Sequence, residues 1–180
     1  VKEAGYGIVP TSSTAVQLAL GDAIAIATMQ KKKFGKLDFK KFHPSGSLGN
    51  KLKIVDDLMI TKDKIPFIHE NFNVEKAIEI INLKKLGTVI TRDKKNNTTG
   101  ILVDGDIKRL IHKFDDIKKL QVKEIMKKGP ISVEKDMLAV KALKIMNDKK
   151  ITSLCVHSKS KKNKTIGLIH IHNILDANIQ

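Results

Sequence analysis

Three short stretches of this sequence hold side chains whose types and spacing could do chemistry. The first is Phe39-Lys-Lys-Phe-His43-Pro-Ser-Gly-Ser-Leu-Gly49, where one proline and two glycines make a turn-rich loop around a histidine. Such a loop holds an imidazole on a fixed backbone, and an imidazole titrates close enough to neutrality to move a proton. Most lone histidines are structural, but reactive groups favour loops over a scaffold. The second stretch is Pro10-Thr-Ser-Ser-Thr14, directly before an apolar helix. Free N–H groups converge at a helix start, so Thr11, Ser12 and Ser13 could meet a phosphate; ordinary capping by Ser12 or Ser13 is the simpler reading. The third is the pair His170 and His172. On a strand they point to opposite faces, so one can face a cleft while the pair makes a poor metal site. No metal is expected.

The elements that must position these groups are organised by a repeat. Gly100-Ile-Leu-Val-Asp-Gly-Asp106 returns as Gly167-Leu-Ile-His-Ile-His-Asn173, 67 positions on (167 − 100). Val55-Asp-Asp-Leu-Met59 returns as Val122-Lys-Glu-Ile-Met126 at the same offset. Two copies are too few for a solenoid and read as halves of one pseudo-symmetric domain, each too small to bury its apolar face alone. In the first copy a helix-period stripe covers 73–86, ended by Gly87. Apolar runs Thr88–Thr91 and Thr99–Val103 flank a polar turn at 93–97, and a helix starts at Asp104 or Gly105. The second copy repeats the order: helix 136–149, strand 152–157, Lys-rich loop 158–164, strand 165–169, helix 171–178. Two β-β-α units, each preceded by a helix, predict an α+β sandwich with a pseudo-twofold axis and a ligand cleft between the halves. Residues 1–54 lie outside the repeat. Their helix, roughly Ala15 to Met29, is apolar around most of its circumference and is expected to be buried on several sides, in a larger domain or against another chain.

Composition narrows the function classes. The chain has 180 residues, a net charge of +15 and one cysteine. Cys155 lies in an apolar run and reads as a small buried hydrophobe in a reducing compartment. No signal peptide or membrane-spanning stretch is present. The chain opens on Val1 rather than Met and is expected to be a piece of a longer protein. Of its 34 basic residues only Arg92 and Arg109 are arginine, and the lysines are spread along the whole chain. Base readers and phosphate clamps depend on arginine, so solvated lysine-rich faces are favoured over a nucleic-acid surface.

The repeat, with its glycine, short strand, acidic turn and helix, resembles the cystathionine β-synthase (CBS) domain pair over about residues 54–180. Lys2-Glu3-Ala4, Pro10-Thr-Ser-Ser-Thr14, Leu20-Gly-Asp-Ala23 and Phe42-His-Pro-x-Gly46-x-Leu48-Gly49 follow in the order found at the end of the sugar-isomerase (SIS) domain of D-arabinose 5-phosphate isomerases. The resemblance implies a tandem CBS pair of pseudo-twofold β-β-α units preceded by the C-terminal helical end of an α/β SIS domain. Its boundaries would be 1–53 for the SIS remnant, 54–119 for the first CBS copy and 120–180 for the second. It implies interconversion of D-ribulose 5-phosphate and D-arabinose 5-phosphate for Kdo and lipopolysaccharide synthesis, in a cytoplasmic enzyme needing no metal or redox cofactor. His43 and Glu3 match the family's catalytic positions, and Thr11, Ser12 and Ser13 its substrate-binding turn.

The same resemblance implies a homo-oligomer, dimeric through the CBS pair and tetrameric when intact. The partners are a sugar-phosphate substrate and a nucleotide-type regulator, with no nucleic acid and no membrane. In ligand-binding CBS motifs a hydroxyl three residues after the glycine meets phosphate, and an Asp six after it holds the ribose. Here those positions are Val103 and Asp106, then His170 and Asn173, so the adenine-nucleotide pattern is only partly kept; Asp104 and His172 complete the two turns. A nucleotide sugar such as CMP-Kdo is the expected kind of ligand. Two alternatives remain: the regulatory module of another SIS-domain sugar-phosphate protein without isomerase activity, and a basic nucleic-acid binder. This fragment alone is expected to be inactive, because it lacks the residues that orient a substrate. Titrating the chain with random duplex DNA tests the charge. The expected result is weak binding without the steep loss on added salt that several phosphate contacts produce.

Overall fold

The structure, a computed structural model, describes residues 2–42, 49–50, 52–114 and 116–179. The chain forms two compact units, Val1–Pro44 and Ser45–Gln180.

The first unit carries helix α1, Ser12–Lys31, and helix α2, Lys36–Phe42. Neither Ser12 nor Ser13 caps α1, contrary to the expected capping. The Ser12 hydroxyl donates to the Lys2 carbonyl, and the cap comes from Glu3. Its carboxylate accepts the N–H of Thr11 at 2.6 Å and of Ser13 at 2.8 Å. A carboxylate satisfies two orphan N–H groups at once and sets negative charge against the positive end of the helix dipole. The chain reaches back to place it through a tight turn at Ala4–Gly7, with Gly5 and Tyr6 at positive φ. No residue of α1 is buried. Val16, Leu18, Leu20, Ile24 and Ile26 are exposed, so the burial expected of this helix is not provided by its own unit.

The second unit holds the repeat. Its strands are β1 (Ile60–Thr61), β2 (Phe67–His69), β3 (Thr88–Arg92), β4 (Thr98–Val103), β5 (Lys127–Lys128), β6 (Ser132–Glu134), β7 (Ser153–His157) and β8 (Gly167–His170). Its helices are α3 (Val55–Leu58), α4 (Val74–Lys84), α5 (Asp104–Leu110), α6 (Val122–Ile125), α7 (Ala139–Lys149) and α8 (Ile171–Leu175). The α+β sandwich of two like halves forms as expected. The sequence pattern showed two strands per copy; β1, β2, β5 and β6 are additional. They run two or three residues, too short for alternation to register. The helix over 73–86 ends earlier than expected. Lys85, not Gly87, takes the left-handed cap, and Lys150 does the same after α7.

Each half lends the other a strand. One sheet runs β2-β3-β4-β5 and the other β1-β8-β7-β6. Thus β1 of the first copy lies against β8 of the second, and β5 of the second against β4 of the first. The repeated glycine and methionine make this exchange fit. A Cβ on Gly100 would lie 2.7 Å from both the Lys127 carbonyl oxygen and the Met126 sulfur. A Cβ on Gly167 would run into the Met59 sulfur and come within 3.2 Å of the Ile60 carbonyl oxygen. Each half has its own core, one around Val89 and Leu102, the other around Leu154 and Ile169. Ile65, Ile90, Cys155 and Leu168 form a third between the sheets. There Cys155 is buried as expected, and burial pushes its thiol up to about 11. Equivalent residues meet near the pseudo-twofold axis: the Thr98 and Thr165 hydroxyls are 2.8 Å apart.

Replacing either glycine by alanine forces a methyl group against backbone. Gly167→Ala or Gly100→Ala is expected to cost about 1–3 kcal/mol of stability. Urea unfolding would show a lower midpoint with an unchanged slope.

Candidate functional site

The C-terminal ends of β4 and β8 meet in a cavity of ≈ 680 Å³ between the two halves. Val103, Asp104, Asp106, His170 and His172, the residues expected in the cleft, all line it. The reason is local: β4 ends at Val103 and β8 at His170, and each strand turns at once into a short helix. The opposite-face reading of the two histidines therefore does not hold. His172 is helical, both residues line the cavity, and their ring centroids lie 5.0 Å apart. The His170 ring accepts the His172 N–H through Nδ1, which leaves Nε2 to carry the proton of the neutral ring. Burial, then the neighbouring His172, lowers the His170 pKa.

Asp106 is the most constrained of these groups. Its side chain is 8% exposed. Burial raises its pKa, but the bonds from Lys127, at 2.9 Å, and from Arg109 outweigh burial and hold the carboxyl below its ordinary value. Both cations use Oδ1; Oδ2 is buried and has no partner. Its equivalent in the second copy, Asn173, spends its side-chain oxygen on the His170 N–H. The two halves are therefore chemically unequal: one offers a free acceptor, the other an imidazole. Lys85, Arg109, Lys127, Lys128 and Lys150 line the same cavity against Asp104 and Asp106, so the walls favour an anion. The lysines were not singled out from sequence, where they were indistinguishable from the solvated majority, and Arg109 was noted only as one of two arginines.

In the first unit, Thr11, Ser12, Ser13 and Glu3 come together at the start of α1. The N–H groups a phosphate would use at Thr11 and Ser13 are taken by Glu3. The Ser13 side chain and then the Thr11 amide bring the Glu3 carboxyl down to about 2. His43 lies outside the described residues.

The CBS domain family matches residues 55–113 and 122–179. The chain belongs to the CBS-domain family. Its CBS pair resembles that of CBSX2 solved in complex with AMP, with a TM-score of 0.58 and 22% identity over 69% of this chain and 95% of that one. The CBS pair of protein MJ0100, solved with 5′-methylthioadenosine and S-adenosyl-L-methionine, gives a TM-score of 0.60 at 18% identity, covering 69% and 98%. Among curated proteins, the arabinose 5-phosphate isomerase KdsD of Salmonella typhi is 36% identical over 96% of this chain and 52% of its own length. KdsD of Escherichia coli is 35% identical with the same coverage. An uncharacterized protein of Rickettsia prowazekii is 36% identical over 94% of this chain. The chain thus spans about half the length of these relatives and is homologous to the C-terminal part of KdsD.

Asp106 sets a test by pH. Its depressed pKa means that its pairing contributes fully above the ordinary carboxylate range and is lost as pH falls through the folded value. Because Lys127 and Arg109 are two-thirds exposed, the pairing is worth of order 1 kcal/mol. Asp106→Asn is expected to lower stability by that amount at neutral pH, and the gap to wild type should close in acid. Urea unfolding at both pH values measures it.

Proposed function

We propose that the intact protein interconverts D-ribulose 5-phosphate and D-arabinose 5-phosphate, and that its CBS pair is a regulatory module taking a nucleotide-type ligand. The similarity to KdsD over 96% of the chain carries the reading. Residues 1–53 are then the end of an SIS domain, whose remaining elements cover the exposed apolar face of α1, and 54–119 and 120–180 are the two CBS copies. The product would enter Kdo and lipopolysaccharide synthesis in the cytoplasm, from a tetramer. No helix among the described residues is long and apolar enough to cross a membrane.

The reaction moves a proton between C1 and C2 of an open-chain sugar phosphate through a cis-enediol. It needs a base and an acid whose pKa values suit neutral pH. His43 supplies an imidazole. Glu3, held as the cap of α1, is too weak a base for the task. A substrate phosphate arriving at Thr11, Ser12 and Ser13 would compete with the Glu3 carboxylate for the same N–H groups. Displacing it releases Glu3 toward its ordinary pKa of 4.5 and frees it to act on the sugar.

In the CBS cleft, the unpartnered Asp106 oxygen suits a sugar diol, and the cationic wall suits phosphate. Val103 cannot supply the hydroxyl that would meet phosphate, so His170 and the lysines take that part. CMP-Kdo, a nucleotide sugar downstream of the reaction, fits as a feedback ligand. Calorimetry of the chain with CMP-Kdo, CMP and AMP is expected to show binding by at least one; silence from all three removes the sensor role.

The activity is tested in the full-length protein. His43→Ala should abolish ribulose 5-phosphate turnover while the circular dichroism spectrum stays unchanged. Turnover retained in this variant takes His43 out of the mechanism. A wild-type protein that binds nucleotide without isomerising sugar would instead mark a regulatory CBS module on another kind of SIS protein.

A further inference from the structure

The two copies of the repeat serve as each other's control, and they part company at one place remote from the cleft. A second cavity, of ≈ 690 Å³, opens where β3 ends and the chain enters β8. The first cavity takes in Gly87 and His170, at the opposite ends of these strands. From Thr88 to Arg92 the strand rises roughly 13 Å, so the two cavities are separate.

Three departures from the repeat converge on this second cavity. First, Arg92 stands where the second copy has His157 (92 + 65), and a β-bulge between Thr91 and Arg92 changes its register against β4. Bulges of this kind re-aim a side chain. The guanidinium carbon lies over the Phe67 ring, 3.0 Å from its centroid, and one Nη donates to the Thr165 carbonyl at 3.0 Å. Second, Arg92 Nε is buried and has no acceptor. A buried charged N–H without a partner costs stability, and here it belongs to a side chain that lines the cavity. Third, Lys62 is held at φ 55°, where its equivalent in the second copy is Gly129 (62 + 67) at φ 63°. A left-handed lysine is strained where glycine would not be. The strain is confined to the copy in which this side chain lines the cavity.

We infer that this cavity is a second anion site, built on Arg92, Lys62 and Lys84, for a phosphate monoester of a small metabolite. Three cations face one acid, Asp63, and leave two positive charges. A phosphate monoester carries between one and two negative charges at neutral pH and accepts hydrogen bonds through three oxygens. Guanidinium and ammonium groups together suit it better than they suit a single carboxylate. The site stands apart from the CBS cleft and does not depend on the isomerase reading.

The experiment is an NMR titration of the full chain with inorganic phosphate at low salt, with acetate as the monoanion control. Phosphate is expected to move the amide signals of residues 62–65, 67, 84, 92 and 165–166, and acetate to leave them in place. Arg92→Gln should weaken phosphate binding by roughly tenfold, the loss of one charge-assisted contact. Lys62→Gly should weaken binding while raising the melting temperature, because it relieves the left-handed strain. That opposite movement is something a merely structural lysine would not show. Shifts confined to 103–109 and 127–131, an equal response to acetate, or unweakened binding in both variants would overturn the site.

Discussion

Everything in the CBS unit rests on how closely two backbones approach at Gly100 and Gly167. With no Cβ at these positions, β5 can lie on β4 and β1 on β8, and the sulfurs of Met126 and Met59 fill the space a side chain would take. The same approach brings each copy's leading segment across to the other copy. It therefore determines which residues share a cavity: Lys127 belongs to the second copy by sequence, yet it pairs with Asp106 of the first. A glycine and a methionine, neither of them reactive, assemble the charge cluster around Asp106.

Duplication supplies the symmetry, and divergence supplies the chemistry. Asp106 and Asn173 occupy equivalent places, but only the carboxylate keeps an oxygen free, because the amide is used to close the turn at His170. Where the two copies stay alike, as at Thr98 and Thr165, they hold one another across the axis. Where they differ, at Asp106 and at Arg92, one copy carries an unsatisfied buried polar atom. Natural structures rarely leave such atoms without a reason. In both cases the atom belongs to a residue that borders a cavity.

Much of this was legible in the sequence. Periodicity located α4 and α7 within a few residues, and the recurring glycine with its acidic turn located the cleft. The exchanged strands were not legible, because two residues of β1 or β5 carry no alternation and their partners lie in the other copy. The capping role of Glu3 was also hidden. It depends on a turn at Gly5 and Tyr6 that folds the chain back on itself, and a serine beside the helix offered a simpler account. The opposite faces proposed for the histidine pair held only on a strand, and the strand stops at His170 while His172 is helical, as the strand and helix read at 165–169 and 171–178 already implied. Arg92 was counted only as one of two arginines. That its Nε is left without an acceptor is a property of burial, which no local pattern encodes.

The reciprocal loan of β1 and β5 also bears on how such a pair arises. A lone copy, deprived of its borrowed strand, has an open sheet edge and a bare glycine beside it. The nearest remedy is a second identical copy, lending and borrowing in the same way. A gene carrying one copy would thus be complete only as a homodimer. Fusing two such genes end to end makes that association permanent, and leaves each half free to drift toward its own ligand.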